Sequence, residues 1–127
     1  MTDVLIIDDD EVYGELSQER LEGHGWVVRF HHGPFGTVNA IRSLQPRVIV
    51  LDVNMPGLDG TGISDILQKT PGLEEIRVLL HSSMDPRELE RLAKLHGAHA
   101  SLSKSAPASE LVQRVRALMA MRIPLRR

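Results

Sequence analysis

Hydrophobic residues along the chain form short continuous runs that alternate with segments of helical periodicity. The clearest runs are Val4–Ile7 and Val48–Leu51, in which every position is apolar. A strand that is apolar at every position is typical of a parallel sheet that is covered on both faces. Further strands are predicted at 26–30, 78–80 and 100–102. The pattern therefore predicts an α/β fold of five βα units, with a doubly wound parallel sheet between two layers of helices.

Apolar side chains at helical spacing predict which helix faces turn inward. The fourth helix has the clearest start, because Asp85 suits an N-cap, Pro86 suits the first helical position, and Glu88 completes a capping box. Turn-forming residues at 54–60 predict a loop after the third strand. The predicted inward residues are Val12, Leu16 and Leu21; Val38, Ile41 and Leu44; Ile63, Ile66 and Leu67; Leu89, Leu92 and Leu95; and Leu111, Val112, Val115, Leu118 and Met119.

Composition narrows the class of protein. The 127 residues are 42% hydrophobic and 25% charged, as in ordinary globular domains, and the absence of cysteine excludes disulfides and cysteine-ligated metals. A net charge of −2 gives no global attraction to nucleic acid or membranes. No apolar run approaches the about 20 residues that span a bilayer, and no signal peptide is visible. We expect one cytoplasmic domain over 1–121 with a short basic tail over 122–127, and neither a nucleic-acid nor a membrane partner.

Polar and charged residues collect where the predicted strands end. Asp8 and Asp9 follow the first strand, Asp52 the third, Ser82 the fourth and Lys104 the fifth. The carboxyl ends of parallel strands meet at one edge of a sheet, which is where open α/β sheets bind ligands. Three carboxylates held together repel one another unless a cation intervenes, and Mg²⁺ prefers such oxygen ligands. Because a hydroxyl and an ammonium suit phosphate oxygens, the set predicts phosphoryl chemistry on a carboxylate.

The same stretches resemble the receiver domains of two-component response regulators. The matching segments are 6–11, 50–60, 80–83 and 102–104, and the resemblance covers essentially the whole chain. Its most specific part is the Asp-x-x-Met-Pro-Gly-x-Asp-Gly pattern at 52–60. The resemblance implies a (βα)5 fold with strand order 2-1-3-4-5, like that of flavodoxin.

The resemblance also implies the reaction. Asp52 is implied to accept a phosphoryl group from a histidine kinase or a phosphotransfer protein. Asp8, Asp9 and Asp52 are implied to hold Mg²⁺ together with the backbone carbonyl of Asn54. Activity is expected to be limited to self-phosphorylation from a donor and slow self-dephosphorylation, so the chain is not expected to be an enzyme in any wider sense.

Two further residues complete the implied site. Ser82 is implied to be the switch hydroxyl that bonds the phosphoryl group, with Ser83 as an alternative, and Lys104 is implied to contact another phosphoryl oxygen. A downstream protein is expected on the face formed by the fourth and fifth helices. Since the sequence stops after the fifth helix, we expect a single-domain regulator that signals or relays phosphate by protein–protein contact.

Three positions depart from the family pattern. Ser105 stands where proline usually follows the strand-five lysine, so the Lys104–Ser105 bond is either trans or a cis bond that costs about 2.5–4 kcal/mol. Ser101 stands where an aromatic switch residue is usual, and His99 replaces one member of an acidic pair. These changes favour an alternative, a pseudo-receiver that works without phosphorylation, whereas the complete set of site residues argues against it.

Two other functions fit the residues less well. An aspartyl-phosphate phosphatase typically has a second acid two residues after its nucleophile, where this chain has Asn54. A flavin phosphate would be repelled by the acidic residues 8–11. The adjacent His31 and His32 hint at a metal, but strand neighbours face opposite ways, so a loop pair is favoured. His81 is expected to be a packed histidine.

Overall fold

Strands and helices alternate in the order that the hydrophobic pattern predicts. The computed structural model describes residues 1–55, 58–59, 62, 67, 69 and 71–122. Its strands are β1 (Val4–Asp8), β2 (Val28–His32), β3 (Val48–Leu51), β4 (Asn54–Met55), β5 (Leu58–Asp59), β6 (Arg77–Ser82) and β7 (Ala100–Ser103). Its helices are α1 (Glu11–Glu22), α2 (Thr37–Leu44), α3 (Pro86–His96) and α4 (Ala108–Ala120), of which the last two are the fourth and fifth predicted helices. Among these described helices none is long and apolar enough to cross a bilayer.

Five strands form one parallel sheet in the order β2-β1-β3-β6-β7. This confirms the expected order 2-1-3-4-5, because β6 and β7 are the fourth and fifth predicted strands. The central strand β1 pairs with both neighbours, so that Ile6 lies opposite Phe30 of β2 and Val50 of β3. The strand order reverses between β1 and β3, and the loops that follow these strands diverge there to leave a crevice.

The sheet separates two hydrophobic cores, which confirms that both of its faces are covered. Within β1, Leu5 and Ile7 join the core beneath α2 and α3, whereas Val4 and Ile6 join the core beneath α1 and α4. Each side chain is no more than 1% exposed. Burying such a residue stabilises a fold by about 1.5–3 kcal/mol, so packing in the two cores fixes the position of β1.

Two segments differ from the pattern in detail. The second strand begins at Val28 and runs to His32, two residues later than predicted. A short antiparallel pair, β4 with β5, lies where the sequence predicts only a loop, and two-residue strands leave no hydrophobic period to detect.

Leu67 of the third predicted helix is helical and buried. Several positions of the sequence predictions lie outside the described residues: Ile63, Ile66, Pro56, Gly57, Gly60 and 123–127.

The inward face of α1 is not the one that the sequence predicts. Leu21 is fully buried, but Val12 is 69% exposed and Leu16 is 53% exposed, so that prediction is wrong for both. The helix instead turns Gly14 towards the sheet, where an added Cβ would lie 2.2 Å from Cε1 of Phe30. The missing side chain at Gly14 therefore sets the close approach of α1 to β2.

The start of α3 follows the predicted cap in part. The Asp85 carboxylate accepts hydrogen bonds from the backbone N–H groups of Arg87 at 3.0 Å and Glu88 at 3.2 Å. The Glu88 carboxylate pairs with the Arg91 guanidinium, so this ion pair replaces the second half of the predicted capping box. Gly97 ends the helix in the left-handed conformation with φ of 75°.

The inward stripe of α3 is narrower than predicted. Leu89 is fully buried and Ala93 is 5% exposed, whereas Leu95 is 65% exposed, so the prediction is wrong for Leu95. Leu92 is half-buried at the edge of the stripe. Six residues advance a helix by about 600°, which places Leu95 about 240° around the axis from Leu89.

Candidate functional site

The residues predicted to form the site lie at one edge of the sheet. Asp8 is the last residue of β1, Asp52 follows β3 directly, Ser82 ends β6, and Lys104 follows β7. All four strands run in the same direction, so their carboxyl ends meet there. The fold therefore brings together groups that are up to 96 positions apart in the sequence.

Three carboxylates form the centre of the site. One oxygen from each of Asp8, Asp9 and Asp52 lies within 4.8 Å of the other two, and this is the group of metal-ligating type among the described residues. Asp8 is 2% exposed and Asp52 is 5% exposed. Backbone N–H groups orient them, since Asp10 donates to Oδ1 of Asp8 and Asn54 donates to Oδ1 of Asp52, each at 2.9 Å.

Lys104 supplies the positive charge beside these carboxylates. Its Nζ lies 2.8 Å from Oδ2 of Asp8 and 3.3 Å from Oδ2 of Asp52. Within the described residues the cis peptide bond is Gly33–Pro34, so the Lys104–Ser105 bond is trans. Serine at position 105 therefore does not keep Lys104 from reaching both carboxylates.

The buried site carries an excess of negative charge. Burial raises the pKa of Asp8 to about 6, although hydrogen bonds from Lys104 and Asp10 act to lower it. Burial alone would lower the pKa of Lys104, but its hydrogen bond to Asp8 and the charge of Asp52 raise that pKa overall. One ammonium among three carboxylates leaves an excess of negative charge, and the donors are all hard oxygens. This set fits a divalent cation such as Mg²⁺.

Ser82 is the better placed of the two serines. It is fully buried, whereas Ser83 is exposed. The Ser82 Oγ accepts a hydrogen bond from the backbone N–H of Met84 at 3.3 Å, which leaves its own hydrogen free to donate. The backbone N–H of Lys104 donates to the Ser82 carbonyl at 2.8 Å, so the ends of β6 and β7 are joined at the site.

The sequence did not single out Tyr13, which lies next to Lys104. The Lys104 ammonium is 4.5 Å from the centroid of the Tyr13 ring, and the Tyr13 hydroxyl is 2.5 Å from Nε2 of His81. His81 is buried, as predicted, and burial lowers its pKa. The sequence does contain a local signal, because Asp10 is a residue type that favours a helix N-cap. Its carboxylate accepts a hydrogen bond from the Tyr13 N–H at 3.0 Å, and this cap places Tyr13 in the first turn of α1, close to the strand ends.

The paired histidines are outside the metal-ligating group found among the described residues. His31 and His32 are the last residues of β2, so the prediction that they belong to a loop is wrong. Nε2 of His31 lies 2.6 Å from the carbonyl oxygen of Phe35, and Nε2 of His32 lies 2.8 Å from that of Asp9. Because both nitrogens bond backbone oxygens, these histidines hold loops at the rim of the site.

A groove of about 560 Å³ lies between α3, β7 and α4. The departures from the family pattern line it: Ser101 is half-buried on β7, and its carbonyl accepts from Nη1 of Arg114 at 2.7 Å. Nδ1 of His99 accepts a hydrogen bond from the backbone N–H of Val78 at 3.0 Å. His99 stands where the family pattern has an acidic residue, and its side chain helps to join β6 to the segment that enters β7.

Comparisons with known proteins agree with this geometry. Residues 4–116 match the family model described as response regulator receiver domain. Response regulator MprA of Mycobacterium ulcerans (strain Agy99) is 33% identical over 117 residues, which make up 91% of this chain and 49% of that protein. The chain spans about half the length of the curated relatives it matches.

Solved structures resemble the whole fold. The Francisella response regulator 1452 receiver domain has a TM-score of 0.82 and 27% identity, over 94% of this chain and 97% of that one. The signal receiver domain of a response regulator from Bermanella marisrubri has a TM-score of 0.80 and 26% identity, over 93% of this chain and 98% of that one.

Proposed function

Because the chain belongs to the response regulator receiver domain family, we propose that Asp52 accepts a phosphoryl group from a histidine kinase or a phosphotransfer protein. The observation that carries this proposal is the position of Asp52, whose carboxylate lies with those of Asp8 and Asp9 and 3.3 Å from the Lys104 ammonium. No activity beyond self-phosphorylation and slow self-hydrolysis is proposed. Single-domain action, a cytoplasmic location and the lack of a nucleic-acid partner stay predictions.

The proposed transfer is an in-line displacement at phosphorus. A carboxylate oxygen of Asp52 attacks the phosphorus atom while the N–P bond of the donor phosphohistidine breaks. The released imidazole nitrogen keeps the electron pair of that bond. Asp52 suits this role because the Asn54 N–H orients one of its oxygens and Lys104 faces the other. Positioning and charge neutralisation are the main contributions that a protein makes to phosphoryl transfer.

The acidic residues are proposed to hold Mg²⁺. Asp8, Asp9, Asp52 and the backbone carbonyl of Asn54 are the proposed ligands, and the excess negative charge of the cluster supports this assignment. When bound, the ion supplies positive charge to the phosphoryl oxygens. Asp8 and Asp9 thereby serve the transfer without touching the phosphorus atom.

Two residues are proposed to contact the transferred group. The Lys104 ammonium is close enough to Asp52 to pair with a phosphoryl oxygen, and the free Ser82 hydroxyl hydrogen can be donated to another. Moving the Ser82 side chain towards the phosphoryl group would give up its bond to the Met84 N–H. We propose that this change is passed to a downstream protein at the groove between α3 and α4, which follow Ser82 and Lys104 in the chain.

The test uses a small phosphodonor. The purified protein is incubated with Mg²⁺ and acetyl phosphate, and intact masses are recorded for the wild type, for Asp52→Asn and for Asp85→Asn. Asp85→Asn is the matched control, because it makes the same chemical change at an exposed helix cap where asparagine serves equally well. The expected result is one phosphoryl adduct in the wild type and the control, which is lost in Asp52→Asn and on chelation of Mg²⁺.

Two outcomes would contradict the proposal. An adduct that survives in Asp52→Asn would assign the phosphoryl group to another residue. A folded wild type that forms no adduct and does not bind beryllofluoride would favour the pseudo-receiver, an interaction module that works without phosphorylation.

A further inference from the structure

Tyr13 of α1 and His81 of β6 meet beside Lys104, and neither belongs to the proposed ligands of the metal or the phosphoryl group. The Tyr13 hydroxyl lies 2.5 Å from Nε2 of His81, and the two ring centroids are 5.5 Å apart. The Lys104 ammonium lies over the Tyr13 ring, 4.5 Å from its centroid. One aromatic side chain thus contacts a histidine through its hydroxyl and a lysine through its face.

The direction of the hydrogen bonds follows from the far side of the His81 ring. Nδ1 of His81 lies 2.7 Å from the carbonyl oxygen of Leu102, and a carbonyl can only accept, so Nδ1 carries a hydrogen. In the neutral ring Nε2 is then an acceptor, and the Tyr13 hydroxyl donates to it. His81 is itself 3% exposed within the sheet, so it gives Tyr13 a fixed anchor.

Lys104 needs such an anchor more than a short side chain would. Four rotatable bonds carry its ammonium, and the carboxylates of Asp8 and Asp52 attract it at 2.8 and 3.3 Å. The electron-rich face of Tyr13, 4.5 Å away, attracts the same cation. Because the Lys104 side chain is only 15% exposed, water screens this attraction weakly.

We propose that Tyr13, held by His81, is a positioning residue that fixes the Lys104 ammonium where it contacts the phosphoryl group on Asp52. This inference rests on the proposed function, because it assigns a task to Lys104 in phosphoryl transfer. Tyr13 itself acts only through Lys104 and touches neither the donor nor the phosphorus atom.

The kinetic test compares variants of Tyr13 in two backgrounds. Phosphorylation by acetyl phosphate and Mg²⁺ is timed by intact mass for the wild type, Tyr13→Leu, Tyr13→Phe and the control Val12→Ala, which changes an exposed neighbour on the same helix. We expect Tyr13→Leu to be about fivefold to tenfold slower, and Tyr13→Phe about twofold slower because it keeps the ring. In a Lys104→Met background, Tyr13→Leu is expected to cause no further loss.

A spectroscopic test does not depend on phosphorylation. Nζ of Lys104 lies 4.5 Å from the centroid of the Tyr13 ring. Because Cε is bonded to Nζ, the NMR signal of its protons is expected upfield of those of the other lysines. The shift should remain in Tyr13→Phe and Val12→Ala and disappear in Tyr13→Leu. Circular dichroism of each variant checks that it is folded, and Tyr13→Phe keeps the test informative should the leucine variant not fold.

The outcomes separate the two proposals. An ordinary Lys104 signal in the wild type, or an equal loss from Tyr13→Leu with and without Lys104, would overturn the positioning role while Asp52 remains the phosphoacceptor. A shifted Lys104 signal in a protein that forms no adduct and does not bind beryllofluoride would instead show that the contact exists and that the proposed function is wrong.

Discussion

The ammonium of Lys104 lies 2.8 Å from Oδ2 of Asp8, closer than to the proposed phosphoacceptor Asp52. The Asp8 side chain is almost fully buried, so this ion pair is largely withdrawn from water. Removing charged groups from water is costly, and here one cation pairs with two of three clustered carboxylates. We therefore expect this cluster to cost the fold stability, as groups placed for the proposed phosphoryl transfer would.

Replacing Asp8 by asparagine should stabilise the fold when no divalent cation is present. Burial raises the pKa of Asp8 to about 6 from an unfolded value of 3.8, so ionising it at pH 7 costs the folded state free energy. The cost is complete above about pH 6 and absent below 3.8. Asp8→Asn keeps an acceptor for the Asp10 N–H and should raise the free energy of unfolding by on the order of 2 kcal/mol.

Urea unfolding at pH 7 with a chelator measures this change, with Asp85→Asn as the exposed control that should stay within about 0.5 kcal/mol. Asp8→Asn should also weaken the stabilisation gained on adding Mg²⁺. A variant that unfolds more easily than the wild type in chelator would show that the Lys104 pair outweighs the burial of Asp8.

His81 should make stability depend on pH near neutrality. Burial lowers the pKa of His81 in the folded state, with smaller effects from the Leu102 carbonyl and from the charges of Lys104 and Asp52, and Tyr13 faces it from α1. The unfolded chain therefore takes up a proton first as the pH falls through about 6.5. The contribution of His81 to stability is complete above that value and decreases as the pH falls towards the folded pKa.

The measurement is the difference in free energy of unfolding between the wild type and His81→Leu at several pH values from 7.5 to 5.5. Taking the difference cancels the opposite dependence that Asp8 contributes. We expect the advantage of the wild type to shrink with falling pH, by no more than about 1.4 kcal/mol per pH unit. A difference that grows as the pH falls would mean that folded His81 is the better proton acceptor.

Adding a methyl group at Gly14 should separate α1 from β2. The new Cβ would lie 2.2 Å from Cε1 of Phe30, whose ring packs against the core beneath α1 and α4. Alanine favours a helix over glycine by about 1 kcal/mol, but overpacking typically costs about 1–3 kcal/mol. Gly14→Ala should therefore lower the midpoint of thermal unfolding. In a Phe30→Leu background the same change should be neutral or stabilising, and a Gly14→Ala protein that melts above the wild type would contradict the steric interpretation.

The strands and the site were predictable because their signals are local. The run Val48–Leu51 is apolar at every position, as is typical of a strand covered on both faces. Asp52 follows this run directly. Once parallel strands are recognised, their carboxyl ends must meet, so the proximity of Asp8, Asp52 and Lys104 follows from topology. Backbone geometry, and not side-chain detail, carries this part of the prediction.

The remaining features depend on how the elements pack. The contact between Tyr13 and His81 joins residues 68 positions apart and depends on how α1 packs against the sheet. In the same packing Val12 and Leu16 are exposed, although their spacing is typical of a buried helix face. No periodicity within one segment contains that information, and only the missing side chain of Gly14 hints at it.

The hydrogen bond from the Lys104 N–H to the Ser82 carbonyl has a mechanical consequence. It couples the two strand ends that carry the proposed phosphoryl contacts. Pro86 of α3 and Ala108 of α4 each stand four positions further along the chain from one of these contacts. We therefore expect a displacement of either contact to be transmitted to both helices, so that the two walls of the groove move together.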